Sequence, residues 1–225
     1  MFDMDWQTLA DSKHALFAGM AVTLQIMCVA ILCGLALGIV LAMLHRSSQR
    51  WVRAFAQGYV ALFRAIPLVM LLLWFFLIVP QFLKALFNLP ATIDIRLLSA
   101  MVAYSMLEAA FFCEIVRAGI DSLPHGQTRA AQALGMTAGQ AMRYVILPQA
   151  FRAMLPLALT QCIVIFQDTS LVYVIALGDF FRRMMAIGER DGTVMPILLL
   201  TGVVYWLISA GMTVIVKAVR TRLAE

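Results

Sequence analysis

Charge is what this 225-residue sequence has least of: 13% of its residues are Asp, Glu, Lys or Arg, against about 25% in ordinary soluble domains. With 63% of residues hydrophobic and a mean hydropathy of +0.92, the chain reads as a membrane protein. Cysteine is scarce and poorly spaced for chemistry. Cys28, Cys33, Cys113 and Cys162 fall in apolar runs without a C-x-x-C pair, so they read as small buried hydrophobes, not as a disulfide framework or metal site. His14, His45 and His125 stand singly, without an H-E-x-x-H context, and no metal site is expected. A phosphate-binding P-loop needs Lys followed by Ser or Thr, but Lys13, Lys84 and Lys217 precede His14, Ala85 and Ala218. No nucleophile–base pair or cofactor fingerprint is present, so no catalytic residue is assigned. The leading segment carries Asp3, Asp5 and Asp11 against Lys13 and lacks a small-residue cleavage pattern, so no removable signal peptide is expected.

What the chain does have is long apolar runs. A hydrocarbon core about 30 Å thick takes about 20 apolar residues in a helix, and five stretches are long enough. The first runs from about Ala15 to Leu44 and carries Ala30, Gly34, Gly38 and Ala42 at four-residue spacing, a stripe that allows close helix packing. The second, from about Trp51 to Phe82, is read as one long helix kinked at Pro67 and ended by Pro80. A polar connector, Asn88 to Arg96, leads to the third, Leu97 to Val116. The fourth runs from Val145 to Leu177 and the fifth from Val194 to Val216. The expected architecture is all-α and polytopic, a single transmembrane domain over residues 1–225 with a cytoplasmic loop at about 117–148.

The net charge of +5 lies mainly between these runs, which fits membrane orientation better than nucleic-acid binding. With the N-terminus external and the C-terminus cytoplasmic, the inner side holds Arg46, Arg50, Arg53, Arg117, Arg129, Arg143, Arg152, Lys217, Arg220 and Arg222. The outer side holds the smaller set: Lys13, Lys84, Arg96, Arg182, Arg183 and Arg190. No internal repeat is present, so pore symmetry would come from a second subunit.

Inside the apolar runs Arg64, Glu108 and Asp168 matter most, because a charge in hydrocarbon costs about 2.5–3.5 kcal/mol. Arg64 fits a structural salt bridge or a substrate-path role equally well. Glu108 reads as structural. Asp168, adjoined by hydroxyl-bearing Thr169 and Ser170, has the best functional prospects. Glu114, Arg117 and Asp121 share one helix face and read as an interfacial ion-pair network. Between the third and fourth runs, Ala130, Ala131, Ala133 and Leu134 favour a short helix that Gly135 can stop. Such a helix suits either a groove on another protein or the bilayer surface.

The wording of these segments resembles a known family. Ala130, Ala131, Gly135, Leu147 and Pro148 match the E-A-A-x-x-x-G-x9-I-x-L-P signature of membrane subunits of ABC importers, with Val145 at the Ile position and Arg129 where the signature has Glu. Phe63-Arg64-Ala65-Ile66-Pro67-Leu68, Glu114-Ile115-Val116-Arg117-Ala118-Gly119-Ile120 and Gln167-Asp168-Thr169-Ser170-Leu171 resemble further motifs of the polar amino-acid permeases. The Leu73–Pro80 and Gly188–Thr193 stretches look most like the permease subunits of glutamate/aspartate importers.

The resemblance implies a non-catalytic subunit in a bacterial inner membrane that pairs with a second permease subunit, a paralogue or an identical copy. It also implies cytoplasmic ATPase subunits that bind ATP and Mg, an external or periplasmic substrate-binding protein, and a small polar amino acid as cargo. No cofactor is expected on this chain. Arg129, Ala130, Ala131, Leu134, Gly135, Leu147 and Pro148 become candidates for coupling to the ATPase. Arg64, Asp168, Thr169 and Ser170 become candidates for the substrate path. The alternatives from other classes are a stand-alone ion-coupled secondary transporter and a membrane-embedded enzyme or sensor.

Overall fold

The computed structural model describes residues 6–82 and 94–224, which are helical with no strand among them. The acidic Asp3 and Asp5, Lys84 and most of the Asn88–Arg96 connector lie outside the described residues. A short helix α1 (Trp6–Asp11) precedes the first span, α2 (Lys13–His45). The second run becomes α3 (Arg50–Ala65) and α4 (Leu68–Leu77). The third span is α5 (Arg96–Asp121), followed by the short helices α6 (His125–Ala133) and α7 (Ala138–Ala141). A π turn over Met142–Ile146 opens α8 (Leu147–Asp168), which ends in a 3₁₀ segment, Thr169–Ile175. Then come α9 (Phe180–Asp191) and the last span, α10 (Val194–Ala224).

The expected small-residue stripe is the central seam. Ala30, Gly34, Gly38 and Ala42 are all buried, and α2 packs along α5. A Cβ on Gly34 would lie 2.8 Å from the Glu108 Cβ, and one on Gly38 would lie 2.7 Å from the Phe112 Cβ. Only glycine lets the two backbones approach this closely. The cysteines divide around this seam: Cys113 is buried, but Cys28 and Cys33 are exposed, contrary to expectation. They lie on the part of α2 turned away from the stripe.

The second run is not one kinked helix. Ile66 adopts φ −93° and ψ 129°, an extended conformation, as the residue before a proline prefers. The chain leaves the helix there, and α4 restarts at 101° to α3. Pro80 does not end this element either: α4 stops at Leu77, and residues 79–82 are helical again. Counting the bent pair as one span, the fold has five spans among the described residues.

The amphipathic α9 was not anticipated. Asp179 caps it by accepting from the backbone N–H groups of Phe181 and Arg182 at 3.0 and 3.2 Å. It buries Phe180, Met184, Ile187 and Gly188 against the starts of α2 and α10. It stops at Gly192, whose φ is +69°.

Candidate coupling helix and translocation groove

At the basic end of the bundle, α6 closes with a helix-terminating turn. Gly135 has φ +84°, a conformation that costs an L residue about 1–2 kcal/mol. Its N–H donates to Gln132 O at 2.9 Å, and Met136 N–H donates to Ala131 O at 3.1 Å, which satisfies carbonyls the helix leaves open. Ala131 is 4% exposed and seats the helix. Arg129, Ala130 and Ala133 are exposed, and Leu134 is 82% exposed, so an apolar side chain projects from the end of this helix.

The next elements tie this helix to the fourth span. Thr137 Oγ1 accepts from Gln140 N–H at 3.3 Å, while Gln140 Oε1 accepts from Thr137 N–H at 2.8 Å, a reciprocal cap on α7. The π turn widens the helix before Leu147 and Pro148 begin α8. Gln149 Nε2 donates to Gln127 Oε1 at 3.5 Å and so links α8 to α6. The candidate coupling residues therefore gather in one compact unit, with Ala131 facing inward.

The path candidates are dispersed. Asp168 is the last residue of α8, half-buried, and its carbonyl accepts from Tyr104 Oη. Among the described residues its carboxylate makes no ion pair. Thr169 is fully buried, and its hydroxyl donates to Phe166 O at 2.6 Å. Ser170, half-buried, donates to Gln167 O at 2.9 Å. Arg64 lies elsewhere: its Nη1 is 3.8 Å from Glu114 Oε2, and its guanidinium sits 5.6 Å from the Phe111 ring centre. From Tyr104, which touches Asp168, to Glu114 is about 15 Å of helix. Within one subunit, Arg64 and Asp168 are not brought together as the two ends of an amino-acid clamp.

Glu108 is 1% exposed and accepts from Gln161 Nε2 at 2.9 Å, joining α5 to α8 in a buried contact that fits its structural reading.

An open groove of about 660 Å³ runs between α8 and α10, lined by Ile163, Gln167, Ser209, Thr213 and Lys217 among others. It adjoins a second groove of about 670 Å³ that adds Thr160 and Arg220. Gln167 Nε2 donates to Ser209 Oγ at 3.2 Å, and Gln167 lines both. The sequence reading did not single out Gln167, Ser209 or Thr213 as path residues. Their signal was there: Ser209, Thr213 and Lys217 fall at four-residue spacing in an otherwise apolar helix, which places them on one face.

A helical membrane bundle with a projecting amphipathic helix at its basic end and a polar groove along its outer face has the form of a half-channel moved from outside. Binding-protein-dependent transport system inner membrane components match residues 34–225 of the chain, and the chain belongs to this family. It is 52% identical over 224 residues to the glutamate/aspartate import permease protein GltK of Escherichia coli O6:H1, covering 100% of both chains. It is 35% identical to the arginine transport system permease protein ArtQ of Bacillus subtilis, covering 98% of each. The crystal structure of an amino acid ABC transporter with histidines superposes with a TM-score of 0.87 at 26% identity, covering 97% of this chain and 99% of that one. The family membership makes the chain a permease subunit of an ABC-type importer and gives the stand-alone secondary transporter no support.

Proposed function

We propose that this chain forms half of the translocation path of an ATP-driven importer for acidic amino acids, glutamate and aspartate. The observation that carries the substrate class is the 52% identity, over the full length of both chains, to a glutamate/aspartate import permease. A cytoplasmic ATPase, holding ATP and Mg, receives α6 in a groove: Leu134 supplies the apolar contact, and Arg129 and Ala130 supply the flanking surface. Leu147 and Pro148 root α8 behind this helix, so ATPase closure displaces α8 as a near-rigid body. ATP can drive that change only by binding differently to the inward- and outward-facing states. A second permease subunit completes the path. Arg129, where the family signature has Glu, favours a paralogue over an identical copy.

In the path, Asp168 meets the substrate ammonium at the top of α8, with Ser170 as a hydroxyl neighbour. Thr169 supports the turn from within. A cationic counterpart for the substrate carboxylates comes from the second subunit, since Arg64 lies beside Glu114, away from Asp168. The N-terminus is external, the C-terminus cytoplasmic, and a substrate-binding protein delivers cargo at the outer face.

Purification of the chain from its native membrane tests the assembly: an ATPase subunit and a second permease are expected in stoichiometric amount. Recovery of the chain alone, active without an ATPase, would reject the reading. Labelling of a cysteine placed at Ser48 only from the cytoplasmic side checks the orientation.

A further inference from the structure

Five charged side chains from three helices form one chain of alternating sign at the end of the bundle that carries α6. Arg46, just past α2, places Nη1 2.8 Å from Asp121 Oδ1. Asp121 Oδ2 lies 3.3 Å from Arg117 Nη1, and Arg117 Nη2 lies 3.0 Å from Glu114 Oε2. The same Glu114 oxygen lies 3.8 Å from Arg64 Nη1 on α3. Half-exposed pairs of this kind typically add only about 0–1 kcal/mol each, so stability alone is a weak reason for the network. Its location is more informative.

Asp121 is the last residue of α5, and α6 starts at His125. Arg64 occupies the last turn of α3, next to the Ile66–Pro67 break where α3 and α4 meet at 101°. Beyond the break, α4 packs on the 3₁₀ segment that follows Asp168, with Leu72 in one buried cluster with Val172 and Ile175. A two-residue break with Ile66 extended is the kind of point at which packed helices change their angle. The network ties the root of α6 to the end of α3, on the near side of this break.

We infer that Arg64 is a positioning residue: through Glu114 it transmits displacement of α6 and the end of α5 to the α3–α4 hinge, and from there to the turn at Asp168. This rests on the reading that α6 receives the ATPase movement. It assigns to Arg64 a mechanical role in place of the substrate contact its intramembrane charge suggested.

The test uses the complete importer, with its ATPase and binding protein, in liposomes, and compares Arg64→Gln, Glu114→Gln, the double variant and Arg64→Lys. Two quantities are read: substrate transported per ATP hydrolysed, and the substrate concentration at half-maximal transport. Each Gln variant should lower transport per ATP by at least about fivefold, the low end of ordinary coupling between sites. The double variant should be no worse than either single one, and Arg64→Lys should retain most of the coupling. If Arg64→Gln instead raises the half-saturating concentration with transport per ATP unchanged, and Glu114→Gln does neither, Arg64 contacts substrate and the inference fails. If the variants only reduce the amount of assembled complex and the ratio holds in what remains, the network is structural and the inference also fails. Gly135→Pro in the same assay separates the two layers. Loss of coupling there but not at Arg64 sinks the network role alone; loss at Arg64 but not at Gly135 sinks the coupling-helix reading, and the inference with it.

Discussion

Two spans of the same chain, α5 and α10, reverse the rule learned from soluble proteins. The spanning stretch of α5 is 67% buried within the subunit and has a mean hydropathy of 1.4, whereas that of α10 is 11% buried with a mean hydropathy of 2.0. The more hydrophobic helix is the more exposed one. In a bilayer, apolar side chains gain nothing by leaving lipid, so small and polar residues define the protein interior. Tyr104, Ser105 and Glu108 accordingly sit inside on α5, while Val203, Trp206, Leu207, Val214 and Ile215 face outward on α10. The outward groove beside α10 is where polar groups reappear, through Ser209, Thr213 and Lys217.

The sharpest way to break this contrast is to enlarge glycines on the two helix faces. Gly34→Leu drives a side chain into the Glu108 Cβ, 2.8 Å from the first added carbon. Overpacking of this kind typically costs about 1–3 kcal/mol or more, so the subunit should lose most of its thermal stability in detergent. Gly211→Leu on α10 meets nothing within 4 Å and should change that stability by no more than about 0.5 kcal/mol. Equal damage from both would mean that α10 is packed as α5 is.

A smaller effect on folding, but a large one on transport, is expected from Gly135→Pro. Proline is fixed near φ −65°, while Gly135 sits at +84°, so the exit of α6 must reshape. Substrate-stimulated ATP hydrolysis should fall at least about tenfold, an energy of about 1.4 kcal/mol, with the chain still inserted and assembled. Asp168→Asn comes next. It keeps the size and removes the charge, so transport should fall by about tenfold, comparable to losing one charged hydrogen bond, while basal ATP hydrolysis persists. Failure of that variant to assemble would make Asp168 a structural acid, and normal transport would make it dispensable.

The smallest effect concerns pH. Asp179, in the turn before α9, is fully buried, and burial raises its carboxyl to about 6 against the restraint of its capping N–H bonds. Because the folded-state value lies above the unfolded one, its contribution to stability is fully present below about pH 4 and is lost as pH rises through about 6. Asp179→Asn keeps an N-cap side chain and should flatten the thermal stability between those values. An unchanged slope would assign the dependence to other groups.

Much of the fold was legible because a 20-residue uncharged run admits few other readings. The full break at Pro67 was not: a proline in an apolar run signals a kink, and only the extended Ile66 reveals the 101° turn. The 12-residue α9 escaped because it is too short and too polar on one face to register as a span. Of the candidate site, the coupling segment was readable from its local wording and Gly135, both properties of contiguous sequence. The groove was not: Gln167 meets Ser209 across 42 positions, and Arg46 meets Asp121 across 75. Thr169 was placed in the path because a hydroxyl beside an acid looks available; the 3₁₀ turn that buries it is invisible in the letters.

The proposed function makes this chain work only as the membrane half of an ATP-powered assembly. It is tested most directly by uptake of labelled glutamate into proteoliposomes holding the copurified complex, with ATP inside or outside and with or without an ion gradient. Uptake should require ATP on the side that carries α6, should depend on the substrate-binding protein, and should not respond to the gradient. Gradient-driven uptake by this chain alone, indifferent to ATP, would contradict the account.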